Sequence, residues 1–165
     1  MAYIFPAPGV ANTEMTLTIR SADLTAYTGG TPIGSGTDMV VPALQDMTVN
    51  NANDVFAWTT LDAASKFQVP TTATNSLSGN IVVSQTEFFG DGTTDGVQDI
   101  GLFGLSKTKL KVDFDLFLGT EDDGTAGKTI SGEGYITGLS WTASADAPVW
   151  VSPFTITVTG DYTVA

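Results

Sequence analysis

The chain has 165 residues, a net charge of −12 from 18 acidic and 6 basic residues, and neither cysteine nor histidine. This composition excludes disulfides and thiolate metal sites and removes the commonest general base, so we expect no enzyme, no metal site and no cofactor. The acidic balance argues against adhesion to nucleic acid or to a membrane surface, since both depend on clustered Lys and Arg. A hydrophobic fraction of 42% is typical of a packed domain, which we expect to span residues 1–165.

The N-terminal part of the chain predicts little regular structure. Residues 1–14 are rich in Pro and Gly without periodicity, so we expect an extended arm that a partner orders. They lack the basic start of a signal peptide, and no long apolar run occurs, which favours folding in a cytoplasm. A short strand is predicted over residues 15–20, followed by a Gly-, Thr- and Pro-rich long loop or irregular hairpin at residues 21–38.

The middle of the chain alternates between strand and turn patterns. Residues 39–49 predict a strand and the Asn-rich residues 50–54 a turn. The first half of residues 55–70 predicts another strand, and residues 60–64 predict a turn or a single helical turn. Residues 77–89 predict a further strand, which we place centrally in the sheet. The tryptophans Trp58, Trp141 and Trp150 are predicted to lie in the core, with the alternative that one anchors a subunit interface.

One helix is predicted, over residues 97–107. Val97, Ile100 and Phe103 share a face at helical spacing, and Lys107 at the end suits the helix dipole. Gly101 and Gly104 each cost about 1 kcal/mol relative to Ala. The helix therefore depends on packing against the rest of the fold.

The last third of the chain predicts three consecutive strands, over residues 109–118, 130–142 and 149–159. In the first, alternate apolar residues fall on one face, and Lys111, Asp113 and Asp115 fall on the other. An acidic loop with a hairpin signal at its centre separates the first two strands. This pattern predicts a β-sheet with one face exposed to water.

Three local patterns suggest chemistry, and each has a simpler interpretation. The acidic turns at residues 91–96 and 121–124 do not fit the ligand spacing of a calcium loop. Asp113 and Asp115 share a face, as an acid/base pair would, but no aromatic sugar platform accompanies them, which favours a solvated strand face. The glycines of residues 130–142 (Gly132, Gly134 and Gly138) lack the following helix of a phosphate loop, so we expect close approach of a neighbouring strand.

The order of these elements resembles the major tail protein, or tail tube protein, of tailed bacteriophages. Residues 58–70 read WTTLDAASKFQVP and precede a strand that begins with a Ser-Gly pair. Residues 130–142 read ISGEGYITGLSWT, and residues 154–160 read FTITVTG. The resemblance covers roughly residues 39–165, and no counterpart is found for residues 1–38.

The resemblance implies a mainly β subunit, a β-sandwich or barrel-like tail-tube fold with one short flanking α-helix and long hairpin loops. Six such subunits would form a ring, and the rings would stack into a virion tail tube through which DNA passes without specific binding. The implied partners are further copies of the chain, a tape measure protein, and tail terminator or baseplate proteins. Strand parity suggests Asp113, Asp115 and Glu133 as lumen-facing acidic residues. The loops and the N-terminal arm suggest Tyr27, Ile33, Asp122 and Asp123 as inter-ring contacts.

Several alternatives remain open at the level of sequence. The tube protein of type VI secretion systems has the same implied fold, and a capsid decoration protein is a different interaction role. A β-sandwich carbohydrate-binding module is the non-assembling alternative. The sequence does not distinguish contractile from non-contractile tails.

Overall fold

The structure of the protein, a computed structural model, describes residues 4–5, 15–20, 38–41, 44–61, 65–92, 96–121, 125–146 and 148–165. Within these ranges the chain forms nine strands and two helices, which are β1 (Ile4–Phe5), β2 (Thr16–Arg20), β3 (Met39–Val40), β4 (Leu44–Trp58), β5 (Phe67–Val82), α1 (Thr86–Phe89), α2 (Val97–Thr108), β6 (Lys111–Phe117), β7 (Thr120–Glu121), β8 (Thr129–Leu139) and β9 (Val151–Val164).

Seven strands form one antiparallel sheet with the order β3-β2-β6-β8-β9-β5-β4. The three predicted C-terminal strands are confirmed as β6, β8 and β9, and they lie side by side in the sheet. β1 and β7 form a separate two-stranded sheet, in which Ile4 pairs with Glu121. The predicted mainly β fold is therefore confirmed.

One face of the seven-stranded sheet is apolar and forms the core. On β6, Val112, Phe114 and Leu116 are at most 1% exposed, because alternate residues of a strand point to the same face. Each such side chain contributes about 1.5–3 kcal/mol through burial, as an upper estimate. The other strands supply the remaining buried side chains of this face, which are Leu17, Ile19, Met39, Leu77, Ile81, Ile130, Ile136, Phe154 and Ile156.

The glycines of β8 permit close strand packing, as predicted. A Cβ atom on Gly134 would lie 2.6 Å from the carbonyl oxygen of Thr157 and 2.8 Å from Cγ2 of Ile156. Both distances are shorter than van der Waals contact allows, so only glycine fits at this position. The pairing of β8 with β9 is also irregular between Ile136 and Gly138, where the register shifts.

The predicted helix is confirmed as α2, but it is kinked at Gly101. This residue has φ +69° and ψ 171°, outside the helical region. A side chain here would collide with the backbone of Phe89 and Gly90, which cross α2 at this point. Neither of the two helices in the described part of the chain is long and apolar enough to cross a membrane.

The predicted strand over residues 77–89 is wrong after Val82, because α1 occupies its end. Ser84 and Glu87 are joined at the start of α1: Ser84 Oγ accepts the Glu87 N–H at 3.2 Å and donates to Glu87 Oε2 at 2.5 Å. The spacing S-x-x-E was the sequence signal for this helix start. The described part of the chain therefore contains two helices where the resemblance implied one.

The turn predicted at residues 50–54 is also wrong, because β4 continues through it to Trp58. The asparagines pair with β5 in the ladder, for example Asn51 with Asn75 and Asn53 with Ala73. Side chains of β4 from Asn50 onward are exposed, so polar residues lose no hydration by adopting the strand conformation there. The outcome is one long β4–β5 hairpin.

Candidate assembly surfaces

The face of the sheet opposite the core is polar and rich in hydroxyl groups. Thr137 and Thr157 lie on neighbouring strands with their Oγ1 atoms 2.7 Å apart, in hydrogen-bond contact. Alternation along the strands places many other small hydroxyl side chains on this face, among them Thr18, Ser78, Ser131 and Thr155. Such a surface is wet and offers few apolar anchors.

A charged cluster crosses this polar face on β2, β6 and β8. Asp113 lies directly between Arg20 and Glu133 in the strand register. Arg20 Nε is 3.4 Å from Asp115 Oδ2, and Lys111 Nζ is 2.7 Å from Glu133 Oε2. The predicted lumen-facing carboxylates therefore share one face, but two cations stand beside them, and the cluster carries only a small negative excess.

The ion pair between Lys111 and Glu133 changes the basicity of the lysine. The hydrogen bond to Glu133 raises the pKa of Lys111 above its ordinary value, and the negative charges of Glu133 and Asp113 add to the effect. Both side chains are substantially exposed, so the pair contributes little to stability. The pair links β6 to β8 across the polar face.

Half of the β4–β5 hairpin projects beyond the sheet as a two-stranded ribbon. β5 pairs with β9 only from Ser76 to Val82, whereas its pairing with β4 continues out to Trp58 opposite Phe67. We call residues 50–58 and 67–75 the ribbon. Apart from Asn75, every side chain of the ribbon is exposed. Among the described residues no third strand pairs with it.

One face of the ribbon carries four large apolar side chains, which we call the ribbon patch: Phe56, Trp58, Phe67 and Val69. Phe56 lies opposite Val69, and Trp58 lies opposite Phe67. They are 61%, 39%, 47% and 47% exposed, in the order named. The Trp58 ring stacks on both Phe rings, with centroids 5.9 Å and 5.7 Å apart. The patch is preorganised for contact with another apolar surface.

A polar fork opens where the ribbon separates from β9. Asn75 lies at its base and is 6% exposed, yet its Oδ1 atom has no hydrogen-bond partner among the described residues. Asn51, Asn53, Asp161 and Tyr162 line the rest of the fork. A buried acceptor without a donor is unusual in a complete fold.

A second apolar surface lies at the other end of β5, where the helices meet the β8–β9 connection. We call its five rings the aromatic ledge: Phe88, Phe89, Phe103, Trp141 and Trp150. Phe88 is buried, whereas Phe89, Phe103 and Trp150 are each about 40% exposed. Neighbouring rings lie in edge-to-face or stacked contact, for example Phe89 with Trp141 at 5.5 Å and Trp141 with Trp150 at 5.7 Å.

Sequence reasoning located these surfaces only in part. The predicted inter-ring residues Tyr27, Ile33, Asp122 and Asp123 lie outside the described residues. The prediction that all three tryptophans belong to the core is wrong for Trp58 and Trp150, which are 39% and 38% exposed.

The signal that identifies the ribbon patch is present in the sequence. Phe56 and Trp58 stand two residues apart before a turn, and Phe67 and Val69 stand two residues apart after it. This spacing places all four side chains on one face of a hairpin. No group of three or more acidic side chains in the described ranges is arranged to hold a metal ion.

The comparisons with known proteins identify the fold. No protein-family model and no curated protein matches the chain. Solved structures do match, and they are tube proteins of phage-like particles. The tail of the empty gene transfer agent particle, refined with helical C6 symmetry, superposes with a TM-score of 0.58 at 13% identity, over 91% of this chain and 95% of that one.

Two further structures extend the comparison to other tubes. The SPP1 tail tube superposes with a TM-score of 0.59 at 11% identity, over 95% of this chain and 78% of that one. The sheath–tube complex of an extracellular contractile injection system gives 0.57 at 12% identity, over 96% and 92%. The chain therefore has the tail-tube fold, which confirms the fold that the sequence resemblance implied.

Proposed function

We propose that this chain is the tube subunit of a phage-like tail, a structural virion protein in which six copies form a ring and rings stack into a hollow tube. The observation that carries this proposal is the ribbon, a long hairpin that leaves its own sheet and exposes both edges and an aromatic face. A two-stranded ribbon is at best marginally stable by itself. The fold supports the proposal as well, because solved structures with the tail-tube fold come from tails and tubes.

Ring closure removes the exposed strand edges. β4 is the last strand on one side of the sheet, and its outer edge extends over 15 residues. An unpaired edge of this length invites pairing with another chain. In a closed ring, β4 of one copy would pair with the β2–β3 side of the next, so that six sheets form one continuous barrel.

The polar face of the sheet is the face that we assign to the lumen, because the apolar face is covered by α2 and the core. Asp115 and Glu133 would then line the channel together with the hydroxyl side chains, and Asp113 would add its charge from the same face, although its side chain is only 8% exposed. Arg20 and Lys111 hold these carboxylates in place while leaving a negative excess. A wall of hydroxyl groups with weak like charge would let DNA slide without adsorbing to it.

The partners of such a tube follow from its architecture. A tape measure protein would occupy the lumen before DNA, and terminator or baseplate proteins would cap the two ends. Structures with the same fold include a tube-terminating cap of the anti-feeding prophage, with a TM-score of 0.60 over 100% of this chain. Assembly in the host cytoplasm and location in the virion tail belong to the same proposal.

A second candidate function is the tube of a contractile injection system. It is favoured by the fact that tube and cap proteins of such systems superpose as well as phage tail tubes do. The two candidates share the ring and the tube but differ in cargo. Particles purified from producing cells separate them, because a phage-like tail is joined to a DNA-filled capsid and an injection system is not.

Electron microscopy of the purified protein tests the proposal. Concentrated protein is fractionated by size exclusion, and the fractions are imaged in negative stain. We expect stacked rings with a central hole and six-fold end views. A chain that remains a monomer at every concentration, with or without short tube seeds from a producing cell, would contradict the proposal and favour a decoration or carbohydrate-binding module.

A further inference from the structure

We infer that the ribbon patch of one copy packs on the aromatic ledge of another copy, with Lys66 at the ribbon end facing the acidic margin of the ledge. The inference rests on the proposed function, because the second copy is the neighbouring subunit of the tube. It deepens that function by naming the two surfaces that meet.

The ribbon patch is left uncovered by the described part of its own chain. Its four side chains are large, apolar and 39% to 61% exposed. Clusters of this kind on soluble proteins mark interaction surfaces. Their rings are already stacked in parallel, so little side-chain entropy is lost when a second surface covers them.

The aromatic ledge offers a surface of the same chemistry. Phe88 is buried and contacts Phe89 and Phe103, whereas Phe89, Phe103 and Trp150 are partly open to solvent. Val149 and Val151 flank Trp150 and are 54% and 36% exposed. Two aromatic surfaces gain both from apolar burial and from ring contacts.

The two surfaces lie at opposite ends of one strand. The ribbon patch includes Phe67 at the start of β5, and the ledge is joined to the end of β5 by a 2.8 Å hydrogen bond from Val83 N–H to the Trp150 carbonyl. At about 3.3 Å per residue, this strand separates them by roughly 50 Å. They therefore meet only between copies, and a head-to-tail contact of this kind repeats into a ring or a filament.

Charge favours this pairing over contact between two identical surfaces. Lys66 directly precedes Phe67, is exposed and forms no ion pair with a described residue. Glu87 lies within α1, and exposed Asp99 lies beside the same segment, where its carbonyl accepts the Gly92 N–H at 3.4 Å. Two ribbon ends would place Lys66 against Lys66, whereas Lys66 against Glu87 and Asp99 brings opposite charges together. The ribbon also carries exposed Asp54 and α2 carries exposed Lys107 in its last turn, so the preference rests on the charges nearest the two aromatic surfaces.

Disulfide cross-linking tests the contact directly, because the chain contains no cysteine. Ser65→Cys marks the ribbon end, and Val149→Cys marks the ledge; neither substitution removes an aromatic ring or a charge. The two variants are mixed, concentrated and oxidised, and the linked peptides are identified by mass spectrometry. We expect 65–149 links between chains. Ser65→Cys mixed with Thr137→Cys, on the polar face, is the control and should give few links.

Two other link patterns would overturn the inference. A 65–65 link that predominates in the mixture would mean that ribbon patches pair with each other. A 65–149 yield no greater than that of the control would mean that the ledge is not the partner. The cross-links can be scored in small oligomers as well as in tubes.

Substitutions provide an independent measurement. Trp58→Ser should raise the protein concentration needed for assembly more than about 10-fold, as expected of a buried aromatic anchor. Val55→Ser changes an apolar residue on the opposite face of the ribbon that is 53% exposed, more than Trp58, and should change that concentration less than about 2-fold. Lys66→Glu should weaken assembly, and Asp99→Lys in the same chain should restore it. Equal effects of Trp58→Ser and Val55→Ser, or no rescue, would contradict the inference.

The outcome for the unmodified chain separates the two proposals. Tubes in the microscope without 65–149 links would leave the proposed function standing and remove this contact. A monomer at every concentration would contradict the proposed function, and the absence of links in the same sample would contradict the contact as well.

Discussion

Two halves of the single strand β5 differ in what they contact. Residues 76–82 lie between β4 and β9, and their side chains alternate between the core and the polar face. Residues 67–74 continue the same strand into the ribbon, where every side chain is exposed. The backbone conformation is the same in both halves, so hydrogen-bonded pairing alone does not create a core. No described residue covers the half that belongs to the ribbon, and we expect another copy to cover it.

The largest expected effect compares two phenylalanines, one in each region. Phe114→Ala removes a ring that is 1% exposed in the core and should lower the free energy of unfolding by about 3–5 kcal/mol. Phe56→Ala removes a ring that is 61% exposed and should change it by less than about 0.5 kcal/mol in the dilute monomer. Urea denaturation followed by circular dichroism measures both. Similar losses for the two variants would mean that the ribbon is packed within its own chain.

The next effect concerns the close backbone contact at the kink in α2, within the packed part of the fold. Gly101→Ala introduces a side chain at φ +69° against the backbone of Phe89 and Gly90, and should cost about 3 kcal/mol or more. Gly92→Ala introduces the same side chain at φ +67°, where nothing lies within 4 Å, and should cost only the conformational strain of about 1–2 kcal/mol. The difference between their unfolding midpoints measures the close approach. Equal unfolding midpoints for the two variants would mean that no backbone lies close to Gly101.

A smaller effect is expected at the boundary of the two regions, where Asn75 closes the fork. Asn75→Leu removes a buried oxygen that has no donor among the described residues, and should raise the free energy of unfolding of the monomer by about 1 kcal/mol. Asn51→Leu changes the exposed residue that pairs with it and should have an effect near zero. A clear loss of stability in Asn75→Leu would show that the oxygen is satisfied in the monomer.

The smallest effect concerns the charged cluster on the polar face. Because the hydrogen bond to Glu133 raises the pKa of Lys111, Glu133→Gln should lower that pKa towards the ordinary value. In the unaltered protein, the stability from this pair is fully present below the unfolded-state pKa of about 10.4 and is lost as the pH rises through the higher folded-state pKa. NMR titration of the Lys111 side chain measures the shift. Asp115→Asn, which removes the partner of Arg20, should leave the Lys111 pKa unchanged.

The sequence predicts the body of the fold well, because one face of each central strand is buried. The alternation of Val112, Phe114 and Leu116 with polar residues is visible without a structure, and the close approach at Gly134 follows from a glycine within a strand. The S-x-x-E spacing of Ser84 and Glu87 was also visible in the sequence, although the β-branched residues before them suggested a longer strand. In this region, the residues that the sequence pattern predicts to be buried are the residues that the fold buries.

The ribbon could not be predicted in the same way, because its residues do not show the alternating burial that strands have within a single domain. The asparagines at residues 50–54 have turn-forming preferences, and only pairing with a distant strand holds them extended. Trp58 is a large aromatic residue of the kind usually buried in a core, but we expect another copy of the chain to cover it. Sequence rules that assume one self-contained domain assign such a residue to the wrong surface.

Hydrogen exchange of the dilute and the assembled protein tests the central claim most directly. In the dilute protein we expect the amides of β8 to be protected and those of residues 50–58 and 67–74 to exchange rapidly, since a two-stranded ribbon opens easily. On assembly, protection should appear in the ribbon and in the segment around Phe89 and Trp150, while β8 changes little. A ribbon that is fully protected in the dilute monomer, or that exchanges equally fast in the tube, would contradict the account.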